Sequence, residues 1–205
     1  ASILKLKPIE LASKLVEIVD IADWALFGKN GGDATSLAVM IAREHTCKEK
    51  IVKIDDGYHG TAPWMQDKSR PGIIPSDNDH VIKVKWNDMD SLSEILDNYS
   101  DQIACFISSP YDHPVSRDNS LPEDDYWKKV TTLCKKHNVL TIVDDVRAGF
   151  RINLKGSNVA FGFTPDMICF GKAIANGHPL ASLVGNNDLK KSAENKDIKI
   201  YEKST

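Results

Sequence analysis

The sequence predicts an α/β fold whose central sheet is mostly parallel. Five short apolar runs have the length and composition of buried strands, and segments with helical periodicity lie between them. Strands that alternate with helices form βαβ units, which place neighbouring strands in parallel. With 205 residues, 41% of them hydrophobic, the chain can bury one sizeable core without disulfide or metal support. One domain is the simplest organisation, because no repeat, low-complexity tract or linker interrupts the pattern.

The elements are predicted in order along the chain. Apolar residues recur at helical spacing over 9–19, and an apolar piece at 24–27 leads into a Gly-rich turn and a second helix with an apolar inner face. Helical periodicity returns at 92–96 and 124–137. Residues 60–79, rich in Pro, Gly and Ser, are expected to form a long loop on the active-site side. The buried strands are expected at Ile51–Ile54, Val81–Val84, Ile103–Ile107, Leu140–Val143 and Met167–Phe170, followed by a late antiparallel strand at Ala181–Val184.

Composition narrows the possible partners and surroundings. The net charge is −3, from 26 Lys plus Arg and 29 Asp plus Glu, which argues against a dedicated nucleic-acid binder because such proteins cluster cations over phosphate. No apolar run reaches the roughly 18–20 residues that span a bilayer, so we expect no membrane association. The cysteines lack metal-binding spacing, so we expect no metal and free thiols in a reducing, cytoplasmic compartment. They are Cys47, Cys105, Cys134 and Cys169.

The first candidate site is the Gly-rich turn Asn30-Gly31-Gly32-Asp33, which lies between a short strand and a helix. Asn30 and Asp33 have the spacing of a capping box, and the two glycines favour free backbone N–H groups at the helix start. Such a helix start binds phosphate, although a Gly-Gly pair after a strand is more often only a tight turn. The turn matches neither the G-x-G-x-x-G dinucleotide pattern nor the P-loop pattern.

Two more candidates follow strands. Asp144 and Asp145 come directly after the strand at 139–143, at the end where parallel sheets bind ligands. Adjacent side chains point to opposite faces, so we expect at most one of them in the site, and a solvated Asp–Arg pair is the simpler alternative. Tyr58-His59-Gly60 follows the strand at 51–54, and its aromatic rings either stack on a flat cofactor or merely pack in a loop.

Lys172 is the last candidate. It follows the strand Met167–Phe170 and lies in the Gly-flanked turn 171–177. A lysine that leaves a buried strand is expected in apolar surroundings, where desolvation lowers the pKa and makes the amine nucleophilic, as imine formation requires. The simpler alternative is a surface lysine that extends to solvent. Each signal is modest alone, and their common position at the ends of strands gives them weight.

Together, these ordered motifs closely resemble the class III aminotransferase family of pyridoxal-phosphate enzymes, and within it the branch that contains glutamate-1-semialdehyde aminomutase. The resemblance runs from about Pro8 to the end of the chain. It implies the fold type I architecture, a three-layer α/β sandwich, with pyridoxal 5′-phosphate (PLP) as the cofactor. It also implies that residues 1–205 are the large cofactor-binding domain, without the family's N-terminal segment and small C-terminal domain, and that the protein forms a homodimer.

The resemblance assigns residues to the cofactor's phosphate. Asn30, Gly31 and Gly32 match the family's phosphate-binding turn, with Gly32 where the family has Thr and Asp33 where it has Glu. Thr205 falls about where the family has a threonine that reaches the phosphate of the neighbouring subunit. The phosphate is therefore expected to be an anchor, held by turn amides and the helix dipole.

It also assigns residues to the cofactor's ring. Tyr58 matches the tyrosine that lies over the ring, in a Tyr-His-Gly motif that makes His59 a cofactor-site residue as well. Asp144 matches the aspartate that pairs with the pyridine nitrogen, and Val146 matches the residue on the other face of the ring. Lys172, 28 positions after Asp144, matches the lysine that forms the Schiff base and then acts as general base. Lys172 and Asp144 are thus the implied catalytic residues.

The implied function is amino-group transfer between an amine or amino acid and a keto acid or aldehyde. An aminomutase or an amino-acid racemase on the same scaffold is an alternative, because all three share the proton abstraction by Lys172. A catalytically inactive, truncated domain is another alternative, favoured by the missing segments and by departures from the family pattern. Ser109 stands where the family has Glu before Pro110, Arg147 stands where it has Gln or Met, and Gly32 lacks a hydroxyl.

Overall fold

A seven-stranded, mostly parallel sheet forms the centre of the protein, whose computed structural model describes residues 6–114 and 117–194. The strands are β1 (Trp24–Gly28), β2 (Lys50–Ile54), β3 (Val81–Val84), β4 (Ile103–Ser108), β5 (Leu140–Asp144), β6 (Met167–Phe170) and β7 (Ala181–Gly185). Their spatial order is β1-β7-β6-β5-β4-β2-β3. β7 runs antiparallel to both of its neighbours and the remaining pairs are parallel, so the predicted antiparallel late strand is confirmed.

Helices cover both faces of the sheet. They are α1 (Leu6–Ile18), α2 (Gly31–Thr46), α3 (Met89–Tyr99), α4 (Tyr126–Lys136), α5 (Ser157–Ala160) and α6 (Lys190–Ala193). The apolar faces of α2 and α6 join one core cluster, and those of α1, α3 and α4 join a second cluster on the other side. Because each face of the sheet presents apolar side chains that a helix must cover, three layers form, and the predicted sandwich is confirmed.

The predicted element boundaries are close to the observed ones. Each predicted strand is present, and no observed strand extends more than one residue beyond its predicted bounds. The first helix, predicted over 9–19, spans 6–18. Residues 60–79, predicted as a loop, contain two single 3₁₀ turns, at Pro63–Met65 and Pro75–Asn78. Proline starts such turns readily, because its fixed φ suits the first helical position. An N–H group at that position would have no hydrogen-bond partner, so the lack of one in proline costs nothing.

Three cysteines belong to the core. Cys105, Cys134 and Cys169 are buried and Cys47 is exposed, and all four are free thiols, as expected from their spacing. Burial raises the pKa of both Cys105 and Cys134 to about 12, so these thiols behave as small apolar groups. No helix within the described ranges is long and apolar enough to cross a membrane.

The carboxyl ends of six strands lie at one edge of the sheet. The strands β2 to β6 run parallel, and β1 has the same direction because it and β6 are both antiparallel to β7. The segments that follow these strands contain the residues that the sequence singled out. The topology therefore brings together side chains that lie more than a hundred residues apart in the chain.

An aromatic cluster joins α4 to this edge. Trp127 is 1% exposed, stacks on Phe163 with ring centroids 4.3 Å apart, and meets Phe106 of β4 edge-on at 6.2 Å. Its Nε1–H donates to the carbonyl of Pro110 at 2.8 Å. Because Pro110 begins the segment after β4, Trp127 fixes that segment to the core.

Trp127→Ala is expected to lower the free energy of unfolding by about 3–5 kcal/mol, because it removes a buried ring and leaves a carbonyl unpaired. Tyr99→Ala is the control, since this ring at the end of α3 is 46% exposed, and it should lose about 1 kcal/mol or less. Urea denaturation followed by circular dichroism measures both. Equal losses in the two variants would contradict a core role for Trp127.

Candidate active site

A groove of about 550 Å³ opens at the carboxyl edge of the sheet. It is formed by the segments that follow β1, β2, β4, β5 and β6. Its lining includes Asn30, Gly31, Gly32, Tyr58, His59, Asp144, Val146 and Lys172, which are all the sequence-predicted site residues that the structure describes. Thr205 lies outside the described residues. The structure therefore brings the predicted site together in one place.

A larger cavity, of about 760 Å³, lies at the opposite edge of the sheet. Its walls include Thr141 at the start of β5 and Asp166 just before β6. α/β sheets bind ligands outside the carboxyl ends of their strands, not at the amino ends. The groove that holds the predicted residues is therefore the candidate active site.

The Gly-rich turn forms the predicted capping box at the start of α2. Asn30 Oδ1 accepts a hydrogen bond from the Asp33 N–H at 3.1 Å, and Asp33 Oδ2 accepts from the N–H groups of Asn30 at 3.2 Å and Lys29 at 2.7 Å. The N–H groups of Gly31 and Gly32 donate to no group within the described chain. Free amides at the start of a 16-residue helix form a binding site for an anion such as phosphate.

Val146 is the point where three segments touch. A Cβ added to Gly31 would lie 2.7 Å from Val146 Cγ1, and one added to Gly171 would lie 2.9 Å from the same atom. Contacts this short are not tolerated, so only glycine lets the start of α2 and the end of β6 approach Val146 this closely. Val146 therefore forms a fixed wall between the turn and Lys172.

Asp144 is held in place by two hydrogen bonds. Its Oδ2 lies 2.7 Å from His59 Nδ1, and its Oδ1 accepts from the Val146 N–H at 3.2 Å. Both side chains are buried, with Asp144 6% and His59 2% exposed. A buried carboxylate with fixed partners is held in one orientation, and Asp144 lines the groove in that orientation.

Asp145 turns away from the groove, as the alternation of strand side chains predicted. Its Oδ1 accepts from Ser157 Oγ–H at 2.6 Å and its Oδ2 accepts from the Ser157 N–H at 2.8 Å. Burial raises the pKa of Asp145 to about 6, and the neighbouring Asp144 acts in the same direction. Asp145 therefore anchors the start of α5 and is not part of the groove.

Lys172 is exposed, which contradicts the expectation of apolar surroundings. The strand β6 ends at Phe170, and Lys172 lies at the open side of the groove, where its ammonium group makes no hydrogen bond or ion pair with the described residues. Its φ of +45° is in the left-handed region, which non-glycine residues seldom occupy. Such backbone strain persists where the surrounding structure enforces it, and it is concentrated at functional sites.

The three positions at which the sequence departs from the family that it resembles, Gly32, Ser109 and Arg147, all line the groove. Arg147 Nη1–H also donates to the carbonyl of His113 at 3.1 Å. Burial lowers the pKa of His113, and the Arg147 cation acts in the same direction. Tyr58 is 53% exposed on the groove, so one face of its ring is available to a ligand.

Lys53 is a site-supporting residue that the sequence analysis missed. It lies in β2, is 3% exposed, and its Nζ donates to the carbonyls of Gly57 at 2.7 Å and Met65 at 3.1 Å. Thr35 Oγ1–H donates to the His59 carbonyl at 2.5 Å. Lys53 and Thr35 thus hold the loop that carries Tyr58 and His59. A lysine inside an apolar strand was the signal that could have revealed it.

The family model for class III aminotransferases matches residues 2–197 of the chain. The aminopentol aminotransferase of Sphingopyxis macrogoltabida is 38% identical over 185 residues, which are 90% of this chain and 44% of that protein. The 3-aminobutyryl-CoA aminotransferase of Cloacimonas acidaminovorans is 38% identical over 178 residues, 87% of this chain and 42% of that protein. The glutamate-1-semialdehyde 2,1-aminomutase of Francisella tularensis is 30% identical over 192 residues, 88% of this chain and 44% of that protein.

Solved structures give the same result for the fold. The PLP internal aldimine form of the Sphingopyxis sp. MTA144 FumI protein superposes with a TM-score of 0.88 at 38% identity, covering 92% of this chain and 45% of that one. A glutamate-1-semialdehyde aminomutase from Pseudomonas aeruginosa PAO1 has a TM-score of 0.79 at 21% identity, covering 91% and 42%, and supports the fold alone. The chain spans less than half the length of the relatives it matches.

Lys53→Met is expected to change how stability depends on pH. Burial lowers the pKa of Lys53 from its ordinary 10.5 to about 8. Between these values the unfolded chain binds more protons than the folded chain, so this residue makes the free energy of unfolding rise as pH increases from 8 to 10.5. Lys53→Met should lose that rise, as measured by urea denaturation across the window. The exposed control Lys85→Met should keep the parent slope, and an unchanged slope in Lys53→Met would contradict the assignment.

Proposed function

Because the chain belongs to the class III aminotransferase family, as its sequence predicted, we propose that it is the cofactor-binding domain of a PLP-dependent aminotransferase. The observation that carries the proposal is that Lys172, Asp144 and the turn 30–32 line one groove. An amine, a fixed carboxylate and free amides at a helix start are the groups that match the aldehyde, the pyridine nitrogen and the phosphate of this cofactor.

The groove fits the cofactor in chemistry and in space. The unpaired amides of Gly31 and Gly32 suit the phosphate, and the absence of a side chain at Gly31 lets the turn approach Val146 at the wall of the groove. Asp144 is the one carboxylate among the groove-lining residues that the structure describes, and the cations Lys172 and Arg147 line the same space. An anionic, flat ligand therefore meets complementary charge.

Each residue has a role in holding the cofactor. Asn30, Gly31 and Gly32 would hold the phosphate, Tyr58 and Val146 would lie on opposite faces of the ring, and Lys172 would hold the cofactor covalently through its amine. Asp144 would face the pyridine nitrogen and keep it protonated, with His59 behind it. When bound, the cofactor draws electrons from the substrate carbon and so makes a proton on that carbon acidic.

The substrate's own amine would replace Lys172 Nζ on the cofactor, and the released Nζ would then accept that proton and return it at a neighbouring position, as a general base and acid. Its exposed position on the open side of the groove leaves it free to reach a substrate. For the whole protein we propose amino-group transfer between an amine or amino acid and a keto acid or aldehyde. Two relatives named as aminotransferases, each 38% identical, support this activity.

An aminomutase is the second candidate, supported by the relative of that name at 30% identity. It needs the same proton transfers by Lys172, and it differs in that the amino group returns to the same molecule. A racemase would share the same step. A third candidate is a domain that binds the cofactor without catalysing a reaction. Two departures from the family pattern, Ser109 and Gly32, support this interpretation.

We also propose that residues 1–205 are the large cofactor-binding domain and that two chains form a homodimer in the cytoplasm. The relatives are about twice as long as the chain, and the groove is open on the side where Lys172 and Tyr58 are exposed. In such a dimer, Thr205 would reach the phosphate held by the partner. Sedimentation velocity of the PLP-treated chain tests the homodimer, and a chain that is monomeric at all concentrations would contradict it.

PLP added to the purified chain is expected to give a yellow protein, and borohydride should fix one cofactor on the peptide that contains Lys172. Mass spectrometry of the digest identifies the modified lysine. Lys172→Ala should keep the parent unfolding curve and lose the covalent cofactor, whereas the exposed control Lys190→Ala should be labelled like the parent. A colourless chain, or labelling spread over other lysines, would contradict the assignment.

The reaction type is tested with amine donors offered with and without a keto acid. An aminotransferase should form product only when the keto acid is present, because the amino group needs an acceptor. An aminomutase should convert its substrate without one. A chain that binds PLP on Lys172 and turns over neither mixture supports the inactive domain.

A further inference from the structure

Two glycines let the segment after β2 lie directly against the Gly-rich turn. Gly32 belongs to the start of α2, Gly60 follows β2, and both line the groove. A Cβ added to Gly60 would lie 2.9 Å from the Cα of Gly32, which is too short a contact for a real side chain. Gly60 also has a φ of +128°, in the region that favours glycine. Only glycine at position 60 therefore permits this approach.

Buried side chains keep this approach in place. The hydroxyl oxygen of Thr35 lies 2.5 Å from the carbonyl oxygen of His59 and 3.2 Å from that of Gly32. The side chain of Gln66 donates from Nε2 to the carbonyl of Gly60. Thr35 is 1% and Gln66 8% exposed, so water competes little for these hydrogen bonds. The residue that follows Gly60 is thus held beside the Gly-rich turn.

That residue is Thr61, which lines the groove with two unused hydrogen-bond donors. Neither its N–H nor its hydroxyl is hydrogen-bonded to another residue in the part of the chain that the structure describes. Its backbone N lies 3.9 Å from the position that a Cβ on Gly32 would occupy. Thr61 therefore borders the space that a side chain at position 32 would fill.

The backbone does not require glycine at position 32. Gly32 is not among the residues with a positive φ. Apart from Asn30 Oδ1 at 3.1 Å, the atoms nearest to an added Cβ are Gly60 Cα at 3.6 Å and Thr61 N at 3.9 Å, which are ordinary contact distances. The family has a threonine at this position. The structure thus has room for a small side chain with a hydroxyl at position 32, and this chain lacks that donor.

We propose that Thr61 binds the phosphate of the cofactor, with its hydroxyl in place of the one that position 32 lacks and its N–H beside those of Gly31 and Gly32. Phosphate oxygens accept several hydrogen bonds at once, and backbone N–H groups that converge on one space form a site for such an anion. The inference rests on the proposed function, in which the turn 30–32 holds the phosphate. It adds donors from a different segment, so the bound phosphate would join the start of α2 to the segment after β2.

Pyridoxal, which lacks the phosphate, separates phosphate binding from a merely structural role. Thr61→Val should bind PLP about tenfold more weakly than the parent, as expected for the loss of a hydrogen bond to a charged group, and should bind pyridoxal like the parent. Thr61→Ser keeps the hydroxyl and should bind both compounds like the parent. Absorbance titration measures the affinities. Thr132→Val is the control, because Thr132 is exposed on α4 and does not line the groove.

A hydroxyl restored at position 32 gives an independent test. In the Thr61→Val background, Gly32→Ser should recover most of the lost affinity for PLP, because its hydroxyl would lie in the space that residue 61 borders. Gly32→Ala is the matched variant, since it adds the same Cβ without a hydroxyl and should recover nothing. Equal PLP affinity of the parent and Thr61→Val, equal weakening of PLP and pyridoxal binding, or equal effects of Ser and Ala at position 32 would overturn the assignment.

Failure of the parent chain itself to bind PLP would contradict the proposed function instead. A titration of the ¹⁵N-labelled, cofactor-free chain with inorganic phosphate still decides the role of Thr61 in that case. The backbone amide signals of Gly31, Gly32 and Thr61 should move together with one apparent dissociation constant, and Thr61→Val should raise that constant. A Thr61 amide that stays in place while the two glycine amides move would overturn the inference.

Discussion

The site depends on a single packing constraint, the contact of two glycines with Val146. Gly31 at the start of α2 and Gly171 at the end of β6 both approach its side chain at distances that no Cβ permits. The Gly-rich turn, the segment after β5 and the segment that carries Lys172 are therefore fixed relative to one another by their contact with the Val146 side chain. Packed elements hold a constellation of reactive groups more precisely than free loops do. The spacing between turn, carboxylate and amine follows from this contact.

Charge is distributed in the groove in two layers. The anion Asp144 lies at the base, buried and hydrogen-bonded, whereas the cations Lys172 and Arg147 lie near solvent. The free amides at the start of α2 add a partial positive charge at one end. A flat ligand with a phosphate at one end and a basic ring nitrogen finds a complementary group at each position.

The fold and most of the candidate site could be predicted because they are indicated by short local patterns, and because the motifs follow one another along the chain in a recognisable order. The apolar runs identified the strands, and the Asn30–Asp33 spacing identified a capping box that the structure contains. The exposure of Lys172 was not predictable, since it depends on what covers the end of β6. The pairing of His59 with Asp144 joins positions 85 residues apart, so no local pattern reveals it. Lys53 was missed because a strand with one polar residue differs little from a half-exposed strand.

Buried Asp, His and Lys side chains are concentrated at the carboxyl edge of the sheet, beside the candidate active site. Among the described residues, the Asp, His and Lys side chains less than a tenth exposed are Lys53, His59, Asp112, Asp144 and Asp145. All five lie at the ends of β2, β4 and β5 or directly after them. Burying such groups is unfavourable unless each has fixed partners, and partners that are fixed also hold their neighbours in place. The desolvation that weakens this edge of the sheet is thus inseparable from the rigidity with which it presents Asp144 and the loop of Tyr58 to a ligand.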